Sequence, residues 1–318
     1  MNLDLLISNI TNPAFMFFLL GIIAVKIKSD LEIPANSSKF ISLYLLFAIG
    51  FKGGQELSNE TMTSEILFTM LFGVGLSVLI PVYTFFILRR KLSVYDAVAI
   101  AAAYGSVSAV TFVTGVSYLE SQKMELHGHM VAVMALMESP AIISALVLFS
   151  IYAQDESKVI NRKSLILHSF TNGSVLLIVG SLVIGYFANA KQAEGIKPFT
   201  TDIFKGFLAI FLLDMGISSG RKLSSFSSHG LFPLLFAIIV PLVNGSVVAL
   251  LSGFVTTDVA NRFIFAVLAA SASYIAVPAA MKLAVPKANP GLYLPMALAV
   301  TFPLNITLGM PLYLSFIK

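Results

Sequence analysis

The chain has no cysteine and little charge, and both shortages restrict what it can be. Without cysteine there is no disulfide framework, no thiolate nucleophile and no cysteine-based metal site. Charged residues make up 11% of the 318 residues, against roughly 25% in a typical soluble domain. So few charges cannot cover a globular surface in water. With a mean hydropathy of +0.90, this composition excludes a soluble enzyme, a nucleic-acid binder and a disordered regulator.

Sequence signatures of common catalytic sites are also missing. The chain has no Gly-x-x-x-x-Gly-Lys-Ser/Thr run for nucleotide binding, no Ser-His-Asp arrangement and no zinc motif. His127 and His129 are spaced i,i+2, which does not place both imidazoles on one face of a helix. We therefore expect a solvated histidine pair and not a metal site. We predict a protein that is not an enzyme and that needs no cofactor.

Long apolar runs fill most of the sequence. A bilayer core of about 30 Å needs about 20 apolar residues per helix. Period-2 alternation, which a transmembrane β-barrel would show, is missing, so we predict an all-α membrane protein. The first residues include Asp4 and no basic residue, so we expect a retained first helix and no cleavable signal peptide. The ten predicted segments are 13–26, 40–55, 66–88, 95–119, 126–153, 165–188, 203–218, 231–255, 260–284 and 292–316.

The distribution of basic residues predicts the orientation. Most of the 20 Lys and Arg residues lie in the connections that follow odd-numbered segments. Because positively charged loops face the cytoplasm, ten spans leave both termini on the extracytoplasmic side of the plasma membrane. A miscounted helix would reverse part of this map. The connections that follow even-numbered segments carry instead Glu56, Glu60, Glu65, Glu120 and Glu125.

The two halves of the chain resemble each other weakly. The most polar stretch, 154–164, is a predicted cytoplasmic linker between five segments in 1–153 and five in 165–318. An odd number of spans per half inverts the second half relative to the first, as in inverted-repeat transporters. Three features recur in matching order. They are Gly50-Phe-Lys-Gly-Gly54 with Gly216-Ile-Ser-Ser-Gly220, Ser106-Val-Ser108 with Ser271-Ala-Ser273, and Pro140 with Pro303.

The serine pairs predict that the fourth and ninth helices are interrupted. Broken helices at membrane depth are tolerated where they line a cavity or are buried in protein. If the two unwound stretches cross, the half-helix N-termini suit an anion. The freed carbonyls and serine hydroxyls suit Na⁺, a hard cation that prefers oxygen. The alternative is that these small residues only let helices pack closely.

Two carboxylates lie within apolar segments. Glu138 is far from either end of the fifth segment, and a carboxylate at that depth needs a partner or a function. It can be a cation ligand, a proton carrier or a structural hydrogen-bond partner of a broken neighbour. We favour a cation site or the support of one. Asp214 is nearer a helix end, where it can pair with Lys52 or reach the membrane interface.

The chain resembles the sodium-dependent bicarbonate transporter superfamily over nearly its whole length. The resemblance rests on the order and spacing of several short stretches together. Its most specific stretch is Ala288-Asn-Pro-Gly-Leu-Tyr293. The others are Gly50-Phe-Lys-Gly-Gly54, Gly105-Ser-Val-Ser108, Met137-Glu-Ser-Pro-Ala141, Ala270-Ser-Ala-Ser273 and Thr301-Phe-Pro303.

This resemblance implies a fold of ten helices in two inverted five-helix repeats, with helices four and nine interrupted and crossing. It implies a core domain that moves against a gate domain, a homotrimer, and Na⁺-coupled bicarbonate uptake. Family members from cyanobacteria are inhibited by a PII-like protein, but the family's long central cytoplasmic segment is short here. A PII-like partner is therefore a weaker expectation than the fold.

By position, the resemblance implies that Ser106 and Ser108 line the bicarbonate and sodium site with Ser271 and Ser273. The expected substrate site consists of Ser106, Ser108, Thr111, Ser271, Ser273 and Tyr274. The expected Na⁺ site consists of Glu138, Ser108, Ser273 and Thr301. Two features depart from the family pattern. Glu138 stands where the family typically has Asp, and Tyr274 follows Ser273 where the family continues into Asp and Gly-Pro-Pro. Tyr274 can fill the site or bind a different solute.

We therefore predict a secondary active transporter that takes up bicarbonate with Na⁺ by an elevator-like alternating-access motion in a lipid bilayer. One alternative is a sodium- or proton-coupled carrier of another small or organic anion, with Tyr274 enlarging or capping the site. Another is a non-transporting membrane sensor or scaffold.

Overall fold

The computed structural model describes residues 13–61, 63–153, 173–226 and 230–318. Throughout these ranges the chain forms helices joined by short connections, without a strand, so the all-α prediction is confirmed for them. The predicted linker 154–164 and the start of the sixth segment lie outside these ranges. Ten spans in two inverted repeats stay a prediction. Within the described residues, six stretches are long and apolar enough to cross a membrane: Ser64–Leu88, Val94–Ser121, His129–Tyr152, Ala190–Lys222, Leu231–Phe254 and Pro290–Ile317.

The described part of the first half contains three long helices and three shorter ones. They are α1 Pro13–Lys26, α2 Ala35–Asn59, α3 Ser64–Leu88, α4 Val94–Gly105, α5 Ala109–Ser121 and α6 His129–Tyr152. The second half follows a similar pattern. Its helices are α7 Gly173–Phe187, α8 Ala190–Lys197, α9 Phe204–Phe226, α10 Leu231–Leu251, α11 Val259–Ala270, α12 Ala276–Ala284 and α13 Pro290–Ile317, the last with π-helical stretches at Met296–Thr301 and Asn305–Gly309.

Burial divides the helices into central and peripheral ones. Nearly every side chain of α4 and α11 is buried, which places these two helices in the middle of the protein. By contrast, α3 and α10 expose large apolar side chains along one face, such as Leu71 and Leu79 on α3 and Val243 on α10. A stripe of this kind is stable against lipid and not against water. The exposed apolar faces and the six stretches long enough to span a bilayer indicate a membrane protein.

Two sets of helices pack more closely among themselves than with each other. In the first helix group, α1 packs along α9 and α2 packs along α7. Glycines permit both contacts, since a Cβ at Gly54 would collide with the carbonyl oxygen of Leu182, and one at Gly216 with that of Phe18. The second helix group contains α3, α4, α5, α6, α10, α11, α12 and α13. The contacts between the two groups therefore determine how one could move against the other.

The connections meet in two sets. After α2, Glu60 contacts His129 at the start of α6, while His127 lies 3.5 Å from Asp258 before α11. All of these residues lie in connections predicted to be extracytoplasmic. Connections predicted to be cytoplasmic also meet, because the Asn289 amide donates to Asp96 Oδ1 at 2.8 Å. This grouping agrees with the predicted alternation, and which set faces the cytoplasm stays a prediction.

Candidate ion and anion site at two helix interruptions

Both serine pairs lie where a helix is interrupted. The first interruption, 106–108, separates α4 from α5, and the second, 271–275, separates α11 from α12. The two stretches exchange hydrogen bonds. The Ser273 amide donates to the Ala103 carbonyl at 2.8 Å, and the Ser108 amide donates to Ser271 Oγ at 3.0 Å. The unwound backbone of each half is therefore held against the other half.

Two asparagines satisfy the carbonyls that the second interruption frees. Asn305 Nδ2 on α13 donates to the Ala270 carbonyl at 2.7 Å. Asn244 Nδ2 on α10 donates to the Ala269 carbonyl at 3.3 Å. Our sequence analysis missed both residues. Their signal was an amide side chain in the middle of an otherwise apolar helix, where it needs a hydrogen-bond partner.

A small cavity of about 20 Å³ lies where the two interruptions meet. Its polar lining consists of Ser108, Glu138, Ser273 and Tyr274. Because a water molecule needs roughly 10–15 Å³ by this measure, the cavity fits about one water or one small ion. Apolar residues of the first helix group, Leu46 on α2 and Ile178 on α7, complete the wall. The cavity therefore lies between the two helix groups.

Two helix N-termini open onto this cavity. Ala109 and Ala276, the first residues of α5 and α12, both line it. Ser108 caps α5, and its Oγ accepts the Thr111 amide at 3.2 Å. The first amides of a helix carry partial positive charge and need acceptors. These two ends therefore supply attraction for an anion without a basic side chain.

Glu138 is the one carboxylate that lines the cavity. Its residue exposure is 8%, and within the described residues its side chain has no hydrogen-bond or ion-pair partner. A buried carboxylate without a partner is costly. A cation in the cavity would remove that cost, and the hydroxyls of Ser108 and Ser273 line the same space. The three side chains therefore offer the oxygen ligands that Na⁺ prefers.

Four other predicted site residues are buried nearby but do not line the cavity: Ser106, Thr111, Ser271 and Thr301. Ser271 Oγ donates to the Leu268 carbonyl at 2.8 Å and accepts the Ser108 amide, so its role is to join the two interruptions. Thr301 Oγ1 donates to the Ala237 carbonyl at 2.8 Å and bonds the Tyr104 hydroxyl at 2.7 Å. Ser106 Oγ is buried and has no partner in the described part of the chain.

Tyr274 reaches from the second interruption to the first helix group. Its hydroxyl lies 3.6 Å from the Met215 sulfur on α9. Its ring packs edge-on against Phe302 on α13, with centroids 6.2 Å apart. Tyr274 therefore occupies part of the space in which an anion could lie and contacts both helix groups.

The expected ion pair between Asp214 and Lys52 is wrong. Asp214 is buried and accepts a hydrogen bond from Ser38. Lys52 bonds Glu120 at 3.0 Å, and Lys205 lies 3.5 Å from the same carboxylate. Lys52 on α2 therefore pairs with a carboxylate on α5, and Asp214 on α9 bonds a hydroxyl at the start of α2.

A larger cavity of about 250 Å³ lies next to the small one. Its charged lining consists of Lys52, Glu56, Glu120, Asp202 and Lys205, and apolar residues of α2 and α5 complete it. Along α2, Leu46 lines the small cavity and Ile49 lines the larger one. Three residues of helix rise about 4.5 Å, so the two cavities follow one another along α2.

Comparisons with known proteins identify the family of the chain. None of the curated protein sequences compared with the chain matches it. A sequence model of the Na⁺-dependent bicarbonate transporter superfamily matches residues 13–318, which is nearly the whole chain. The chain therefore belongs to the Na⁺-dependent bicarbonate transporter superfamily and is a membrane transport protein, not an enzyme.

Proposed function

We propose that this protein takes up bicarbonate together with Na⁺ by alternating access across the plasma membrane, with both termini outside. The observation that carries the proposal is the composition of the small cavity. Two helix N-termini face the same space as Glu138, Ser108 and Ser273. Once the cavity widens, this set offers groups for one anion and for one hard cation without a basic side chain.

The charge of Glu138 gives a physical reason for coupling. An ionised Glu138 repels an anion in the same cavity, and Na⁺ between them turns that repulsion into attraction. Binding of the anion then requires the cation, which is the condition for symport. In this proposal Ser108 and Ser273 contact both solutes, and Tyr274 limits the space left for the anion.

The pairing of helices supports two inverted repeats and a moving interface. The predicted spans one and two are α1 and α2, and the predicted spans six and seven are α7 and α9. If spans one and two of the first half correspond to spans six and seven, the contact of α2 with α7 corresponds to the contact of α9 with α1. Both contacts are among the most extensive in the structure. We propose that the first helix group acts as a gate against which the second slides, because the cavity lies between them.

The larger cavity supports a route for the anion. It lies toward the connections predicted to be extracytoplasmic, and Lys52 and Lys205 line it. The carboxylates of Glu56, Glu120 and Asp202 line it too, so the cavity offers a polar path without a net attraction for anions. Movement of the side chains that separate the two cavities would admit the anion to the site.

The size of the site favours a small anion over a bulky organic one. Bicarbonate has four heavy atoms, so even this solute needs the cavity of about 20 Å³ to widen. A larger organic anion would have to displace Tyr274 as well. The homotrimer and the PII-like partner implied by the family stay predictions.

Flux through reconstituted vesicles tests the proposal. We expect labelled bicarbonate to accumulate with an inward Na⁺ gradient and not with an equal K⁺ gradient, at alkaline pH where little CO₂ can cross by itself. Glu138→Gln should abolish the Na⁺ dependence, whereas Glu65→Gln, an exposed carboxylate, should not. Equal uptake with Na⁺ and K⁺ would contradict sodium coupling, and no flux of any anion would favour a sensor or scaffold.

A further inference from the structure

A second cluster of metal-ligand side chains lies outside the candidate transport site. Glu60 directly follows α2, His127 precedes α6, and His129 is the first residue of α6. One ligand atom from each of the three lies within 4.8 Å of the other two. We propose that Glu60, His127 and His129 bind a divalent transition metal of the Zn²⁺ class and thereby join the two helix groups.

The expectation of a solvated histidine pair is wrong for His129, which is 5% exposed. Helical spacing does not govern this pair, because His127 lies before the helix. The two rings are tilted by 31° with centroids 5.7 Å apart. Both imidazole rings therefore reach the carboxylate of Glu60, although the i,i+2 spacing would place them on different faces of a helix.

The distances suit a metal after small adjustments. His129 Nδ1 lies 2.7 Å from Glu60 Oε2, and His127 Nδ1 lies 3.8 Å from Glu60 Oε1. Ligand atoms about 2.0–2.1 Å from a tetrahedral Zn²⁺ are about 3.3 Å apart. The two observed distances lie on either side of that value. Two imidazoles and one carboxylate favour Zn²⁺, Ni²⁺ or Cu²⁺ over Mg²⁺ or Ca²⁺, and water can complete the coordination.

The surroundings of the cluster support ligand positions. Asp258 Oδ2 lies 3.5 Å from His127 Nε2, the nitrogen that would remain free when Nδ1 binds a metal. A carboxylate behind a metal-bound imidazole orients the ring and raises its basicity. The Gly128 amide donates to Glu60 Oε1 at 2.8 Å.

The position of the cluster gives the metal a consequence for transport. Glu60 is attached to α2 in the first helix group, whereas both histidines and Asp258 belong to the second. A bound metal would link the groups on the side predicted to be extracytoplasmic and resist their relative movement. This consequence rests on the proposed function, whereas the metal site itself does not.

Titration of the purified full-length protein with ZnCl₂ by calorimetry tests the site. We expect one Zn²⁺ per chain, and affinity at least about tenfold weaker in His127→Ala and in Glu60→Gln. Glu65→Gln removes an exposed carboxylate in the first turn of α3, outside the cluster, so this variant should bind Zn²⁺ like the wild type. His127 is about half exposed, so its replacement should leave the melting temperature nearly unchanged. No binding at millimolar Zn²⁺, or wild-type affinity in both cluster variants, would overturn the proposal.

Flux measurements separate Zn²⁺ binding from its effect on transport. Zn²⁺ added outside the vesicles should slow uptake by the wild type several-fold and leave His127→Ala unaffected. Zinc that binds in calorimetry without slowing uptake would overturn the link between the helix groups. If no anion is transported at all, the proposed function fails, while calorimetry alone decides the metal site.

Discussion

Replacing Glu138 with glutamine tests how the small cavity couples its two solutes. The substitution removes a charge and keeps the side-chain shape, in a residue whose carboxylate has no protein partner among the described residues. We therefore expect the protein to fold normally and to lose its dependence on Na⁺. The neutral amide can no longer attract a cation strongly or repel an anion.

The expected size follows from Coulomb's law. Two unit charges about 5 Å apart interact by about 3 kcal/mol at an effective dielectric constant of about 20. This energy corresponds to about a 150-fold change in a binding constant. We expect Glu138→Gln to weaken Na⁺ binding by about this factor. Bicarbonate should then bind with similar affinity in the presence and absence of Na⁺.

Thermal stability measures both effects, because a ligand that binds only the folded protein raises the melting temperature. The protein is titrated with NaCl at constant ionic strength, with choline as the replacement cation, and with or without bicarbonate. Glu65→Gln is the control for removing a carboxylate. If Glu138→Gln retains the wild-type Na⁺ response, Glu138 is not a cation ligand and the coupling argument fails.

Three further substitutions test the architecture of the site. Ser271→Ala should lower stability by about 1–3 kcal/mol, because it leaves a buried amide without its acceptor; Ser106→Ala, whose hydroxyl has no partner in the described part of the chain, should leave the melting temperature almost unchanged. Asn305→Ala should also cost about 1–3 kcal/mol in chemical unfolding, since a carbonyl at the end of α11 loses its donor, and an unchanged midpoint would argue against that contact. Tyr274→Ala should let acetate compete with bicarbonate uptake, because it enlarges the cavity; competition no stronger than in the wild type would show that Tyr274 does not limit the solute.

Features that depend on one segment could be predicted from the sequence. Small polar residues in apolar segments predicted both interruptions, because a serine pair weakens a membrane helix locally. A carboxylate far from a helix end predicted that Glu138 belongs to a polar site. Ser108 and Ser273 line the same cavity as Glu138 because the two interruptions contact each other.

Features that depend on which helices become neighbours could not be predicted in this way. Asn244 and Asn305 reach carbonyls on α11 from two other helices. Lys52 pairs with Glu120 instead of Asp214 because α5 lies closer to it. The contact of Glu60 with His129 joins residues far apart in sequence. No periodicity within a single helix carries this information.

Protection of a single cysteine at position 273 tests the central claim most directly. Because the natural chain has no cysteine, Ser273→Cys provides the sole thiol for a small methanethiosulfonate reagent. A cysteine at exposed Ser29 is the control and should react equally under all conditions. We predict that Na⁺ and bicarbonate together slow the labelling of position 273 strongly, while bicarbonate with K⁺ does not. Labelling at the same rate in all solutions would contradict a shared site at the crossing of the two interrupted helices.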